Sequence, residues 1–165
     1  MNLDATLLHA LAVEPGSRAA TVAILTTRLG DAETRLTLVP LLAALLAWRR
    51  GWRQALLFGG IVLGGALIVL LLKSAIGRPR PDLLPHQDIV SSASMPSGHA
   101  ANNVVVWLAA ARLWSPAPWL TVAALLLALA IGASRVMLAV HWPSDVIAGW
   151  AVGLAWVWGC LALRR

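Results

Sequence analysis

The stretch from Ser134 to Asp145 places a guanidinium, an imidazole and a carboxylate within twelve residues, between two apolar runs. Charged side chains beside membrane-spanning segments are costly and usually mark a functional site. Pro143 suits the first turn of a helix, so Asp145 would lie at the positive end of that helix. His141 can donate one ring N–H to this carboxylate and keep its other nitrogen free to react. The stretch predicts a histidine activated by an aspartate; the alternative is an interfacial turn whose polar residues only cap helices.

A second polar segment, residues 73–98, precedes another apolar run and carries further cations. Taken together, the two segments contain these candidates for binding an anion: Lys73, Arg80, Ser97, Gly98, His99 and Arg135. Arginine donates in a planar fork that fits phosphate oxygens. The Ser-Gly-His sequence would open a helix, where backbone N–H groups are free to bind an anion. The set predicts a site for an anionic tetrahedral group, and Arg78 either contacts that group or faces solvent and headgroups.

Histidine is the strongest candidate for a nucleophile. Cys160, the one cysteine, lies in an apolar run, and Ser97 has no neighbouring aspartate. A metal-activated water would need more carboxylates than these loops contain, so we expect no metal and no other cofactor. His141, oriented by Asp145, would attack phosphorus and become phosphohistidine. His99 would protonate the leaving oxygen and then activate water, while the cations stabilise charge on the equatorial oxygens.

Seven segments would position these residues. Two short helices, 1–13 and 17–29, are too short to cross about 30 Å of hydrocarbon and are predicted to lie at the interface. Ser17 is the expected N-cap of the second. Five apolar runs are predicted to span the membrane: 34–48, 54–72, 99–114, 117–133 and 143–162. The predicted fold is an all-α, polytopic transmembrane helix bundle of about five spans with short N-terminal interfacial helices.

The composition also favours a membrane protein, because 59% of the residues are hydrophobic and only 12% are charged. A net charge of +6 would suggest nucleic acid for a soluble protein, but these basic residues lie in loops between apolar runs. We therefore expect a lipid bilayer and anionic headgroups as partners, and no nucleic acid.

By the positive-inside rule, basic residues outside the two polar segments mark the cytoplasmic side: Arg49, Arg50, Arg53, Arg112, Arg164 and Arg165. The cations of 73–98 belong to the predicted anion site and are left out of this count. Segments 73–98 and 134–142 would then lie on the other face. This predicts a multi-pass protein of the bacterial inner membrane whose active site faces the periplasm or the exterior.

Three motifs in this order resemble the signature of type 2 phosphatidic acid phosphatases, integral membrane lipid phosphatases related in active site to vanadium haloperoxidases. The motifs are Lys73-x6-Arg80-Pro81, Pro96-Ser97-Gly98-His99 and Ser134-Arg135-x5-His141-x3-Asp145. The resemblance implies a metal-independent phosphatase with His141 as nucleophile and His99 as acid. It implies phosphate contacts from Lys73, Arg80, Ser97, Gly98 and Arg135. The expected organisation is one transmembrane phosphatase domain, 34–165, preceded in the sequence by interfacial helices at 1–33. Larger family members commonly have six crossings, against five counted here.

The leading expectation is hydrolysis of a lipid phosphate or diphosphate. Family analogy favours undecaprenyl diphosphate, with phosphatidic acid or phosphatidylglycerophosphate as alternatives. A lipid phosphotransferase would use the same residues, and a haloperoxidase would hold vanadate in a similar site, although those relatives are mostly soluble. A non-enzymatic lipid-binding or structural protein is a further alternative, against which the complete set of Lys, Arg, His and Asp residues argues. The sequence predicts no oligomeric state.

Overall fold

The computed structural model describes residues 3–163, over which seven helices follow one another. They are α1 (Leu3–Leu11), α2 (Arg18–Arg28), α3 (Ala32–Arg50), α4 (Trp52–Ile76), α5 (Gly98–Trp114), α6 (Pro118–Met137) and α7 (Pro143–Ala162). The described part of the chain contains no strand, so the predicted all-α class is confirmed. Helix ends agree with the predicted segments to within four residues.

Three of the described helices, α4, α6 and α7, are each long and apolar enough to cross a bilayer. The other two predicted spans, α3 and α5, are 19 and 17 residues long. At about 1.5 Å per residue, α5 is roughly 26 Å long, slightly less than the hydrocarbon thickness. It lies at the centre and packs against α3, α4, α6 and α7, so the five helices form one bundle around the three candidate spans.

Small residues let α7 approach its neighbours closely. Gly149 and Gly153 of α7 lie so near the α5 backbone that an added Cβ would contact carbonyl oxygens at 2.7 Å. On α4, Gly64 faces the ring of Trp156, whose indole N–H donates to the carbonyl of Ile61 at 2.7 Å. These contacts fix the start of α5 against the start of α7, where the chemical residues lie.

The two N-terminal helices pack against the same end of the bundle, with α2 on α6 and α1 on both α6 and α7. Ser17 caps α2 as predicted, because its hydroxyl accepts the N–H of Ala20 at 3.0 Å. Just after α1, the N–H of Val13 donates to the carbonyl of Met137, the last residue of α6, at 3.0 Å. The division into regions at residue 33 stays a prediction.

Arginine and tryptophan side chains pair at the opposite end. The guanidinium carbon of Arg49 lies 5.9 Å from the ring of Trp114, and that of Arg112 lies 5.5 Å from the ring of Trp158. The C-terminal ends of α3, α5 and α7 therefore lie together, in a pattern typical of a membrane–water interface. The predicted basic pair Arg164-Arg165 lies outside the described residues.

Candidate active site

His141 lies in the turn between α6 and α7 and is only 2% exposed. Its Nδ1 is 3.5 Å from Oδ2 of Asp145, a fully buried residue in the first turn of α7. The same oxygen accepts the N–H of Trp142 at 2.9 Å and the hydroxyl of Ser94. Pro143 is the first residue of α7, as predicted. The start of the helix thus fixes the carboxylate, and the carboxylate orients the imidazole so that Nε2 faces away from it.

Arg80 lies beside that other ring nitrogen. Its Nη1 is 3.2 Å from Nε2 of His141 and donates to the carbonyl of Val140 at 2.7 Å, while its Nε donates to the carbonyl of Ser92 at 2.9 Å. Burial, followed by repulsion from Arg135, lowers the pKa of Arg80 to about 10. The guanidinium therefore keeps its charge at neutral pH.

The other two cations come from the C-terminal ends of α4 and α6. Lys73 donates from Nζ to the carbonyl of Ala93. Arg135 is 1% exposed, and its Nη1 donates to the hydroxyl of Thr27 at 2.6 Å and to Oδ2 of Asp88 at 2.5 Å. Its Nε is buried with no hydrogen-bond partner among residues 3–163. Because a buried N–H is normally paired, this nitrogen is available to an incoming acceptor.

The start of α5 supplies uncharged hydrogen-bonding groups to the site. Ser97 is fully buried at the N-cap position, yet its hydroxyl caps nothing and has no partner in the described chain. Its backbone N–H donates to the carbonyl of Asp145 at 2.9 Å, which joins the starts of α5 and α7. An added Cβ on Gly98 would lie 3.7 Å from Cε of Lys73, so the α5 start and the lysine are neighbours.

His99, in the first turn of α5, faces a residue from the N-terminal region. Its Nε2 is 2.9 Å from Oδ1 of Asp31, the N-cap residue of α3. Both His99 and His141 feel the positive charge of Arg135, so the two imidazoles belong to one cluster of charges. The structure therefore brings together all eight predicted site residues, and their roles stay predictions.

The electrostatic environment keeps His141 unprotonated. Burial is the main reason that its pKa falls to about 4. The hydrogen bond to Asp145 opposes this effect, and repulsion from Arg80, Arg135 and Lys73 adds to it. At neutral pH the imidazole is therefore uncharged, which is the form in which Nε2 carries a lone pair.

Arg78 makes contacts that were not predicted from the sequence, and its two predicted roles stay predictions. Its Nη1 donates to Oδ1 of Asp145 and to the hydroxyl of Ser144, both at 2.7 Å, and its Nη2 donates to Oδ2 of Asp4 at 2.7 Å. Asp4 also accepts the backbone N–H of Ser144 at 2.9 Å. Although burial raises it, hydrogen bonds from Ser144 and Arg78 hold the pKa of Asp4 below its usual value. Arg78 thus joins α1 to the buried carboxylate.

Three N-terminal residues contact the site without having been predicted: Asp4, Thr27 and Asp31. Each meets a partner 68 to 108 positions away in the sequence. Asp4 lies in a first helical turn and Asp31 at an N-cap, positions where aspartate is common for local reasons. Their types and places therefore gave no signal of a site.

Within residues 3–163, no group of three or more His, Cys, Asp and Glu side chains is arranged to hold a metal ion. The carboxylates of the site are occupied by cations and hydroxyl or N–H donors. The geometry is that of a cluster of cations and N–H donors beside one imidazole nitrogen, a combination that suits an anion.

Comparison with known proteins identifies the family to which this sequence is similar. The PAP2 superfamily profile matches residues 54–165. Lipid A 1-phosphatase of Rhizobium etli is 40% identical over 111 residues, which are 62% of this chain and 46% of that protein. Phosphatidylglycerophosphatase B of Bacillus subtilis is 34% identical over 140 residues, 78% of this chain and 66% of that protein. This chain thus spans less than half the length of the Rhizobium relative.

A solved structure is similar over nearly the whole chain. The crystal structure of a transmembrane PAP2 type phosphatidylglycerolphosphate phosphatase from Bacillus subtilis superposes with a TM-score of 0.87 at 28% identity. The superposition covers 98% of this chain and 84% of the other. It includes the N-terminal helices, which lie outside the region that the family profile matches.

Proposed function

This chain belongs to the PAP2 superfamily, and we propose that it releases phosphate from a lipid phosphate or diphosphate at a membrane surface. The observation that carries the proposal is the position of Lys73, Arg80 and Arg135 around the buried imidazole of His141. A phosphate bound there would also give the partnerless Arg135 Nε and Ser97 hydroxyl their hydrogen bonds.

In the first step, Nε2 of His141 attacks phosphorus in line, forming a P–N bond as the P–O bond to the lipid breaks. Asp145 stabilises the positive charge on the ring. His99 gives a proton to the leaving oxygen, so the lipid departs as an alcohol or, from a diphosphate, as a monophosphate. In the second step, His99 takes a proton from water, which attacks the phosphohistidine and releases inorganic phosphate.

The lipid chain would lie in an apolar groove of about 340 Å³ between α3, α4 and α5. Its walls include Leu36 and Val39 of α3 and Val62 and Leu63 of α4. At the site end it begins at Ala32, the residue after the aspartate that contacts His99. A chain seated there would leave its phosphate at the cluster of cations.

We propose undecaprenyl diphosphate as the first substrate to test, by family analogy. Phosphatidylglycerophosphate and phosphatidic acid are the alternatives. The relatives are named as phosphatases for different lipids. The residues proposed to bind the phosphate therefore do not favour one of these candidate substrates over another. Phosphate release from each lipid in detergent would rank them. Adding an acceptor lipid would reveal phosphotransfer, and halide oxidation with added vanadate would reveal a haloperoxidase.

Trapping of the phosphoenzyme tests the chemistry. Labelled substrate should leave acid-labile, base-stable phosphate on the wild type, and none on His141→Asn. His99→Ala should turn over an alkyl ester very slowly but should accumulate phosphoenzyme from p-nitrophenyl phosphate, because that leaving group needs no acid. His9→Asn, an exposed histidine away from the site, is the matched control and should behave as wild type. Label retained on His141→Asn would refute the assignment.

We further propose that the site faces the periplasm or exterior, as the paired Arg and Trp residues at the opposite end favour. Cys160 is the one cysteine, so Cys160→Ala gives a background for labelling. Glu14→Cys, at the site end, should react with an impermeant maleimide in intact cells, and Arg53→Cys should react only after lysis. The reverse pattern would refute the orientation.

A further inference from the structure

Asp31 makes a contact that its place at the start of α3 does not explain. An aspartate at an N-cap normally accepts an N–H from the first turn of its own helix. This carboxylate makes no such hydrogen bond. Instead its Oδ1 lies 2.9 Å from Nε2 of His99, and the two side chains are only 31% and 22% exposed.

The backbone around Asp31 is held against α5. Asn103 is fully buried, and its side-chain N–H groups donate to the carbonyl of Gly30 at 3.2 Å and to the carbonyl of His99 at 2.9 Å. Arg35 also donates to the carbonyl of Gly30. An added Cβ on Gly30 would lie 2.6 Å from the Asn103 amide nitrogen, so the close approach needs a glycine. The junction of α2 and α3 thus holds the carboxylate in place beside the imidazole.

We propose that Asp31 is the positioning residue of His99, as Asp145 is of His141, so that each histidine of the site has its own aspartate. This inference rests on the proposed function. With Nε2 on the carboxylate, Nδ1 is the ring nitrogen left to take part in the reaction. Protonated His99 gives its Nδ1 proton to the leaving oxygen as the P–O bond breaks, and Nε2–H stays on Asp31. In the second step, Nδ1 takes a proton from the attacking water, which restores the imidazolium.

The test is Asp31→Asn, compared with an alkyl lipid phosphate and p-nitrophenyl phosphate as substrates. With the alkyl ester, kcat should fall by at least roughly 10-fold, between the cost of losing a group that orients a metal-ligating histidine (about 10- to 100-fold) and that of losing the aspartate of a catalytic triad (about 10⁴-fold). KM should change little, because Asp31 does not contact the cations of the phosphate site. With p-nitrophenyl phosphate, the first turnover should keep its wild-type rate, while later turnovers slow. A burst of about one nitrophenolate per enzyme should therefore appear.

Three further single variants and one double variant separate positioning from folding. Glu33→Gln removes an exposed carboxylate from the same helical turn and should leave both substrates unaffected. Asp31→Glu keeps the charge and should recover part of the kcat for the alkyl ester, whereas Asp31→Ser, which can still cap α3, should not. When His99→Ala is already present, adding Asp31→Asn should lower kcat for the alkyl ester by less than a further twofold.

An equal loss of the first-turnover rate on both esters, or a full additional loss in the His99→Ala background, would overturn the role of Asp31. Should Asp31→Asn fail to fold, the comparison of Asp31→Glu with Asp31→Ser decides the matter in the same way. If the wild-type protein releases phosphate from neither ester, the proposed function fails instead. The two failures are therefore distinguishable.

Discussion

Replacing Arg78 by leucine should impair turnover without weakening phosphate binding. The guanidinium donates to Asp145, Ser144 and Asp4, each at 2.7 Å, and does not contact the three cations proposed to bind phosphate. The substitution removes the partner of Asp145 Oδ1. Oδ2 keeps its hydrogen bonds from Trp142 and Ser94. The carboxylate should therefore stay near His141 but lose its alignment.

The size of the effect follows from burial. A hydrogen bond to a charged group contributes about 1.5–3 kcal/mol, and leaving a buried charge unpaired costs about 3–5 kcal/mol. Asp145 is fully buried, whereas Arg78 is 25% exposed, so water can replace part of the loss. We expect the free energy of unfolding to fall by about 2–4 kcal/mol. We expect kcat to fall roughly 10- to 100-fold, by analogy with the loss of groups that orient a metal-ligating side chain.

The assay is steady-state phosphate release in detergent, together with thermal unfolding of the same preparations. Arg78→Leu should lower kcat with KM within about twofold of wild type. Arg78→Lys keeps the charge but lacks the planar fork that reaches both carboxylates, so it should recover only part of the activity. Asp4→Asn, which leaves the hydrogen bond from Arg78 to Asp145 in place, should cost less than Arg78→Leu. A large rise in KM with unchanged kcat would place Arg78 on the phosphate and refute this reasoning.

Three further predictions follow from the same geometry. The free energy of unfolding should fall as pH drops from about 6.5 toward 4, because the unfolded chain protonates His141 at its ordinary pKa and the folded protein only near 4. A pKa lowered this far in one histidine changes the free energy of unfolding by roughly 3 kcal/mol. His141→Asn should remove this pH dependence; an unchanged dependence in the variant would contradict the lowered pKa of His141. Gly149→Ala should lower the free energy of unfolding by about 1–3 kcal/mol, because the new Cβ would meet the carbonyl of Ser97 at 2.7 Å. Gly159→Ala on the same helix faces open space and should have no such effect; equal effects in thermal unfolding would show that the contact is unimportant. Phosphate release should continue in EDTA, because residues 3–163 offer no cluster of metal-binding side chains; loss of activity that added metal restores would contradict this.

The local features of the site could be predicted from the sequence because they depend on neighbouring residues. Pro143 begins α7 and Asp145 lies in its first turn, as proline and aspartate prefer. The five long helices follow from long apolar runs, and the two short ones from the proline and glycine residues that separate them. These patterns act over one or two turns of chain, which is the range that a single sequence reveals.

The contacts behind the site could not be predicted in this way. Arg78 lies two residues before a motif arginine, yet it pairs with Asp4 of α1 as well as with Asp145. Asp31 looks like a helix cap, and Thr27 looks like an ordinary helical residue. Which distant residue each one meets depends on how α1 and α2 dock on α6 and α7, and no periodicity within the chain encodes that docking.

The contact between α1 and the start of α7 links the site to the order in which the protein is made. Asp4 accepts the N–H and hydroxyl of Ser144, which the ribosome adds 140 residues later. While the intervening helices enter the bilayer one after another, Asp4 has neither of these partners. Insertion of α7 supplies Asp145 and Ser144 in one event, so a nascent chain should acquire activity only when α7 enters the membrane. A chain without α7 would lack the aspartate that orients His141 and would remain unable to cleave any lipid.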